Sequence, residues 1–127
     1  LRIAERLSAQ RPDSLPPLQV CVQVNVSGEA SKSGCAPDEA LALCQAVAAL
    51  PRLNLRGLMA IPETADDFAA QRLPFHRLRE IFATVCAAGL PLDTLSMGMS
   101  HDLEAAIAEG ATIVRIGTAI FGERNYA

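Results

Sequence analysis

Residues 92–117 read LDTLSMGMSHDLEAAIAEGATIVRIG, and this stretch decides the fold class. The apolar segments Leu92–Met97 and Thr112–Ile116 predict two β-strands, and the segment His101–Glu109 between them predicts a helix. Ser100 stands just before that helix and is a favourable N-cap residue. Two strands joined by a helical crossover lie parallel in one sheet, so this stretch predicts a βαβ unit.

The same alternation of strands and helices extends toward the N-terminus. Leu18–Val26 and Leu53–Ile61 are nearly continuous apolar runs and predict two more strands. Helices are predicted in three further segments: Leu1–Gln10, Ala40–Leu50 and Pro74–Ala88. The third is predicted to begin at its proline, because proline is favoured at the first helical position. One helix followed by four strands and three intervening helices predicts an α/β protein with a parallel sheet.

The composition fits a single domain covering residues 1–127 and excludes several classes of protein. The chain carries 11 Lys and Arg against 14 Asp and Glu, whereas nucleic-acid-binding domains carry a basic surface. Half of the residues are hydrophobic, which argues against disorder. No apolar run approaches the roughly 18 residues that span a membrane, and the N-terminus lacks the apolar stretch of a signal peptide. We therefore expect a cytoplasmic domain with neither a membrane nor a nucleic acid as partner.

The four cysteines, Cys21, Cys35, Cys44 and Cys86, show no CxxC spacing. The pattern therefore predicts neither a zinc site nor a redox motif, and no metal is expected. We interpret all four as reduced thiols, with Cys21, Cys44 and Cys86 in apolar surroundings.

Small and hydroxyl-bearing residues follow the last two predicted strands. Gly98-Met99-Ser100 comes after the third strand and Gly117-Thr118 after the fourth. Ligands of α/β proteins bind at the carboxyl ends of strands, and free N–H groups at helix N-termini attract phosphate. The two loops together therefore predict a phosphate site, to which Ser100 and Thr118 add hydroxyl donors. The alternative, that Ser100 is only a cap and Gly117 only a turn residue, stays open.

Arg115 is a charged residue in the otherwise apolar segment TIVRIG. Either it points into a pocket and holds a ligand, which its place at the end of the strand favours, or it forms a structural ion pair. For Arg56 in LNLRGL we expect the structural ion pair. Gln23 and Asn25 could line the same pocket or form hydrogen bonds in the core. Lys32, the only lysine, lies in a polar loop, which predicts a solvated side chain.

The two histidines offer no catalytic motif. His76 falls on the polar face of its predicted helix, which predicts a solvated ring, and His101 is expected at the surface of the first helical turn. The sequence contains no Ser-His-Asp order, HExxH motif or P-loop, so no catalytic residue is assigned.

Five segments together resemble the pyridoxal 5′-phosphate homeostasis protein family: LRIAERL, VCVQVNVSGEASKSG, LRGLMAIP, LSMGMSHDLEAAIAEG and VRIGTAIFGERNY. The resemblance implies an alanine-racemase-like (β/α)8 TIM barrel that binds pyridoxal 5′-phosphate (PLP) and acts in intracellular vitamin B6 homeostasis without established catalysis. By this resemblance Ser100, Gly117 and Thr118 hold the phosphate. Arg115 faces the pyridine nitrogen, and Met99 lies near the cofactor.

The resemblance also implies that the chain corresponds to the C-terminal half of such a barrel, about four βα units. A complete barrel has eight strands and about 250 residues. The lysine that holds PLP as an aldimine in this family lies on an early strand, ahead of the part that this chain matches. A half barrel leaves two open sheet edges, at the strands around Val22 and Val114. We expect a monomer in a full-length protein, or pairing through these edges.

PLP-dependent apo-enzymes are the expected recipients of the cofactor. The alternative function is that of a PLP-dependent racemase-like enzyme or a phosphate-ligand (β/α)8 enzyme. Racemases of this class need a tyrosine as acid or base, and the only tyrosine here, Tyr126, lies in the C-terminal tail, which disfavours that reading.

Overall fold

The computed structural model of the protein describes residues 1–27 and 33–117. Helices and strands alternate along the chain: α1 (Arg2–Gln10), β1 (Leu18–Gln23), a 3-10 turn (Pro37–Glu39), α2 (Ala40–Ala48), β2 (Leu53–Met59), α3 (Phe68–Ala87), β3 (Thr94–Met99), α4 (Leu103–Ala108) and β4 (Ile113–Arg115). The predicted order of one helix and four strands with three intervening helices is confirmed. None of the helices in these residues is both long and apolar enough to cross a membrane.

The four strands form one parallel sheet in the order β1-β2-β3-β4. Each strand therefore lies next to its neighbour in sequence, and each connection crosses over the same sheet through a helix. Among the described strands, β1 and β4 are the outer ones, as the prediction of edges around Val22 and Val114 requires.

The hydrophobic core lies between the sheet and helices α2, α3 and α4. In β1 the buried or half-buried side chains alternate with exposed ones because successive residues point to opposite faces of a sheet. Val22 faces the core, whereas Cys21 is exposed on the other side. We call this second side the open face and define it by Gln19, Cys21, Asn54 and Arg56. Their side chains form a polar group, in which the Gln19 Oε1 accepts hydrogen bonds from Asn54 at 2.8 Å and Arg56 at 3.1 Å.

The four cysteines differ in how exposed their side chains are. All four are free thiols. Cys44 is buried, and burial raises the pKa of its thiol to about 11. Cys86 is half-buried. The prediction of apolar surroundings is wrong for Cys21, because its side chain lies on the open face, which no described helix covers.

Helix α3 begins six residues before the predicted start at Pro74. Its N-cap is Asp67, whose carboxylate accepts a hydrogen bond from the Ala70 N–H at 3.1 Å. Pro74 therefore lies inside the helix, where its missing N–H leaves the Ala70 carbonyl without the usual i+4 donor. No residue of α3 before Pro74 is buried, and this first part of the helix is held by the Asp67 cap and by the hydrogen bond from Gln71 to the Ala65 carbonyl. The predicted stop at Gly89 is confirmed by its φ of 105°.

The boundaries of β3 and α4 also differ from prediction. β3 spans Thr94–Met99 rather than Leu92–Met97, and the N-cap of α4 is Asp102 rather than Ser100. The physical reason is a turn that closes between the two elements. The Asp102 N–H donates to the Met99 carbonyl at 3.2 Å, and the Asp102 carboxylate accepts from the Met99 N–H at 2.8 Å.

Candidate functional site

The carboxyl ends of β3 and β4 lie side by side. Met99 at the end of β3 is the direct Cα partner of Arg115 at the end of β4. Ser100 follows Met99 directly, and Gly117 comes two residues after Arg115. Four of the five predicted cofactor-binding residues therefore lie on two adjacent strand ends. The fifth, Thr118, lies outside the described residues.

Ser100 sits in the turn that follows β3. The two hydrogen bonds between Met99 and Asp102 close this turn, so Ser100 and His101 are its two central residues. Ser100 is half-buried.

The orientation of Arg115 follows from its neighbour Val114. A methyl group placed on Gly98 would lie 3.3 Å from Val114 Cγ1 and 2.5 Å from the Cβ of Ala106 in α4. Val114 therefore points toward α4. Because side chains alternate along a strand, Arg115 points to the open face, where it is exposed.

The two arginines of the strands have different environments. Within residues 1–27 and 33–117, no carboxylate lies at ion-pair distance from Arg115, whose ligand role stays a prediction. Arg56 instead makes a two-pronged contact to Asp93, at 2.9 Å from Nε and 2.7 Å from Nη2. The hydrogen bond from Arg56 holds the pKa of Asp93 below its ordinary value. The structural ion pair predicted for Arg56 is confirmed.

Gly117 borders free space. A methyl group placed on it would meet nothing within 4 Å among the described atoms. None of the described atoms therefore blocks close approach to this backbone, which the predicted phosphate site would need.

The loop between β2 and α3 is tied to the turn that carries Ser100. The Ala65 carbonyl accepts hydrogen bonds from Gln71 Nε2 at 2.7 Å and from His101 Nε2 at 2.9 Å. His101 is at the surface, as predicted, but it also links two neighbouring loops. Sequence reasoning missed the roles of His101 and Asp102. The aspartate three residues after Met99 is the one signal that could have revealed the turn.

Helix α4, which connects the two strands of the site, is fixed to α3 by a buried carboxylate. The Glu109 side chain is only 5% exposed and contacts Arg72 at 3.3 Å and His76 Nδ1 at 2.9 Å. His76 also reaches Glu80, at 3.1 Å. His76 is thus partly solvated, as predicted, but is also an anchor for α4. Burial raises the pKa of Glu109, but the hydrogen bonds from His76 and Arg72 outweigh it, so that the pKa lies below its ordinary value.

The end of β1 is held by residues near Cys35. The Cys35 N–H donates to the Gln23 carbonyl at 3.0 Å, and the Cys35 carbonyl accepts from the Asn25 N–H at 2.8 Å. Gln23 and Asn25 are both half-buried. Lys32 and Tyr126 lie outside the described residues. In the described part of the chain, no group of three His, Cys, Asp or Glu side chains is placed to hold a metal ion.

Comparison with known proteins gives a family match over nearly the whole chain. Residues 1–125 match the family described as alanine racemase, N-terminal domain. A protein of Pseudomonas aeruginosa named pyridoxal phosphate homeostasis protein is 67% identical over 126 residues, covering 99% of this chain and 54% of that protein. The chain thus spans about half the length of the curated relatives it matches.

Comparison with solved structures gives proteins of similar fold. PipY of Synechococcus elongatus, determined with PLP bound, is 31% identical, with a TM-score of 0.72 over 95% of this chain and 53% of PipY. An alanine racemase of Clostridium difficile has a TM-score of 0.79 over 97% of this chain and 32% of its own, at 15% identity, a likeness of fold alone. The four βα units therefore have the fold of part of an alanine-racemase-like TIM barrel, as the sequence predicted.

Proposed function

The chain belongs to the family of the alanine racemase N-terminal domain, and from that premise we propose that it is part of a PLP-binding protein of intracellular PLP homeostasis. The name of the Pseudomonas aeruginosa relative supports the homeostasis role, and the PLP bound to PipY supports the cofactor. The observation that carries the proposal is the pairing of Met99 with Arg115, which joins the two strand ends into one site.

The residues present fit the chemistry of PLP. Ser100 would donate its hydroxyl to the phosphate, and the backbone at Gly117 and Thr118 would supply N–H donors. The free space beside Gly117 leaves room for the phosphate oxygens. Each hydrogen bond to a charged group contributes about 1.5–3 kcal/mol, so a few such donors suffice for firm binding of a phosphate. Met99, 47% exposed beside Arg115, would contact the ring.

Arg115 would hold the pyridine nitrogen. A guanidinium remains protonated at all ordinary pH values, so it donates to the nitrogen and keeps that nitrogen unprotonated. When bound, PLP supplies an electron sink, which is weaker with an unprotonated nitrogen. Arg115 is therefore compatible with a protein that carries PLP, although alanine racemases are similar at this position and Arg115 alone does not separate the two functions. Within the described part of the chain, the site contains no tyrosine to act as the racemase acid or base.

We further propose that residues 1–127 act as one unit of four βα repeats, within a protein located in the cytoplasm. Its open face and the free edges of β1 and β4 would be covered by further strands of the same barrel, giving a monomer, or by a second such unit. PLP-dependent apo-enzymes would receive the cofactor. These statements concern the whole protein, of which relatives have about twice this length.

The proposal is tested by titrating the complete protein of which this chain is part with PLP, monitored by the absorbance of the cofactor, with and without inorganic phosphate. We expect phosphate to compete with PLP. Ser100→Ala should lower the affinity for both ligands about tenfold, since one hydrogen bond to a charged group is lost. Arg6→Ala, on the exposed surface of α1, is the control and should change neither the affinity for PLP nor that for phosphate. PLP binding that phosphate does not displace would contradict the proposed site, and turnover of D- or L-alanine would favour an enzyme instead.

A further inference from the structure

A cavity of about 230 Å³ lies at the ends of β1 and β2, against the first half of α3. None of its lining residues belongs to β4 or to the turn that carries Ser100. Pockets for drug-sized ligands occupy about 300–1,000 Å³, so this cavity suits a smaller molecule. It is therefore a second place where the described residues could hold a ligand, separate from the proposed PLP site.

Two oppositely charged side chains line this cavity and form no ion pair with each other. Glu63 and Arg77 are both lining residues, yet no ion pair joins them, and neither has an oppositely charged partner among the residues that the structure describes. Arg77 is oriented by a hydrogen bond of 3.2 Å from Nη1 to the Val26 carbonyl. A ligand with both a carboxylate and an ammonium group would complement the two charges at once.

Neutral polar groups stand beside both charges. The Ser27 hydroxyl accepts a hydrogen bond from the Glu63 N–H at 2.9 Å, and its own proton remains available to a ligand. Ala70 and Pro74 both line the cavity. Because Pro74 has no N–H, the Ala70 carbonyl lacks its i+4 helical donor and can accept from a ligand instead.

We propose that this cavity binds a small zwitterion of the α-amino acid class. Arg77 and Ser27 bind its carboxylate, and Glu63 and the Ala70 carbonyl bind its ammonium group. The apolar wall, to which Leu73 contributes, accommodates a short side chain. The site does not need PLP and contains no residue proposed to hold it, although the Ala65 carbonyl joins its lining to the turn that carries Ser100. The two proposals are therefore tested with separate ligands.

The test uses the chain without PLP and three probes of similar size: L-alanine, propanoate and ethylamine. Chemical shifts of backbone amides are followed during each titration. We expect L-alanine to bind at least tenfold more tightly than either single-charge analogue, with the largest shifts at residues lining the cavity. Arg77→Gln should lower the affinity for L-alanine and for propanoate at least tenfold and leave the affinity for ethylamine unchanged. Glu63→Gln should lower the affinity for L-alanine and for ethylamine and leave the affinity for propanoate unchanged.

Two matched controls remove the same charges elsewhere. Arg79→Gln lies on the same helix, and Glu104→Gln lies on α4, and neither residue lines the cavity. Both variants should bind L-alanine like the unchanged chain. The assignment is overturned if L-alanine gives no saturable shift, or if a control weakens binding as much as its counterpart. The PLP titration of Arg77→Gln should match that of the unchanged chain, so failure of the PLP proposal is recognised independently.

Discussion

Met99 and Arg115 are direct partners across the parallel strands β3 and β4. This pairing brings two separate sequence motifs together, because the residue after Met99 and the residues after Arg115 follow the carboxyl ends of adjacent parallel strands. Helix α4 is the connection that makes the pairing possible, and its last turn is fixed to α3 through Glu109. The geometry of the proposed PLP site thus depends on the packing of a helix outside it.

Replacing Arg115 by Gln should lower the affinity for PLP about tenfold or more, because the charged hydrogen bond to the pyridine nitrogen is lost. The affinity for inorganic phosphate should stay unchanged, since Arg115 is proposed to contact the other end of the cofactor. Absorbance titration with PLP, and competition with phosphate, measure both quantities. Equal losses for the two ligands would show that Arg115 binds the phosphate instead.

Replacing Gly98 by Ala should destabilise the fold by about 2–4 kcal/mol, since overpacking and a strained backbone add together. The new methyl group would lie 2.5 Å from the Ala106 Cβ, at a φ of 102°. Gly89→Ala has a similar φ of 105° but meets no atom within 4 Å, so it isolates the backbone contribution and should cost about 1 kcal/mol. Urea unfolding, monitored by circular dichroism, gives the free energy of unfolding of both variants and of the unchanged chain. Similar losses for Gly98→Ala and Gly89→Ala would show that contact with α4 is unimportant.

Replacing Asp67 by Ala should destabilise the protein by about 1 kcal/mol, because the Ala70 N–H loses its capping acceptor. Asp66→Ala is the matched control, since it removes the same charge one residue earlier, at an exposed position. The difference between the two free energies of unfolding gives the value of the cap. Equal effects would mean that charge, and not the hydrogen bond, determines how α3 begins.

Helix α3 shows what sequence reasoning could reach and where it failed. Its apolar spacing and its glycine stop were predicted, because both are local properties of the chain. Two start signals compete in the sequence, however: Asp67 is a good cap, and Pro74 is a good first residue. The helix starts at the Asp67 cap, and its first turns are held by contacts of Gln71 with Ala65 and of Arg72 with Glu109. The contact with Glu109 joins distant parts of the chain, so local sequence signals do not reveal it.

The candidate site shows the same limit. The sequence predicts that two strand ends meet, because parallel strands joined by one crossover share an edge. It also predicts the structural ion pair of Arg56, but it could not predict that the partner is Asp93, which lies 37 residues further along the chain. Nor could it predict that His101 bonds to Ala65, because these are contacts between distant parts of the chain. Ser100 and Asp102 are equally good caps locally, and only the bonds to Met99 decide between them.

Glu109→Gln should destabilise the protein near neutral pH by about 1–3 kcal/mol, because the hydrogen bonds from Arg72 and His76 lose their charge assistance. In the folded protein the pKa of Glu109 lies below its ordinary value of 4.5. Its contribution is therefore fully present well above that ordinary value and is lost as the pH falls through the folded pKa, where the carboxylate takes up a proton.

The unchanged chain and Glu109→Gln should consequently differ in free energy of unfolding at pH 7 and converge as the pH falls through the lowered folded pKa of Glu109. Urea unfolding at a series of pH values measures this difference. Glu104→Gln, at an exposed position of the same helix, is the control and should show no comparable change. A difference that persists undiminished in acid would mean that the shape of Glu109, and not its charge, fixes α4 to α3. Because α4 connects the strands of Met99 and Arg115, PLP affinity should also fall in Glu109→Gln.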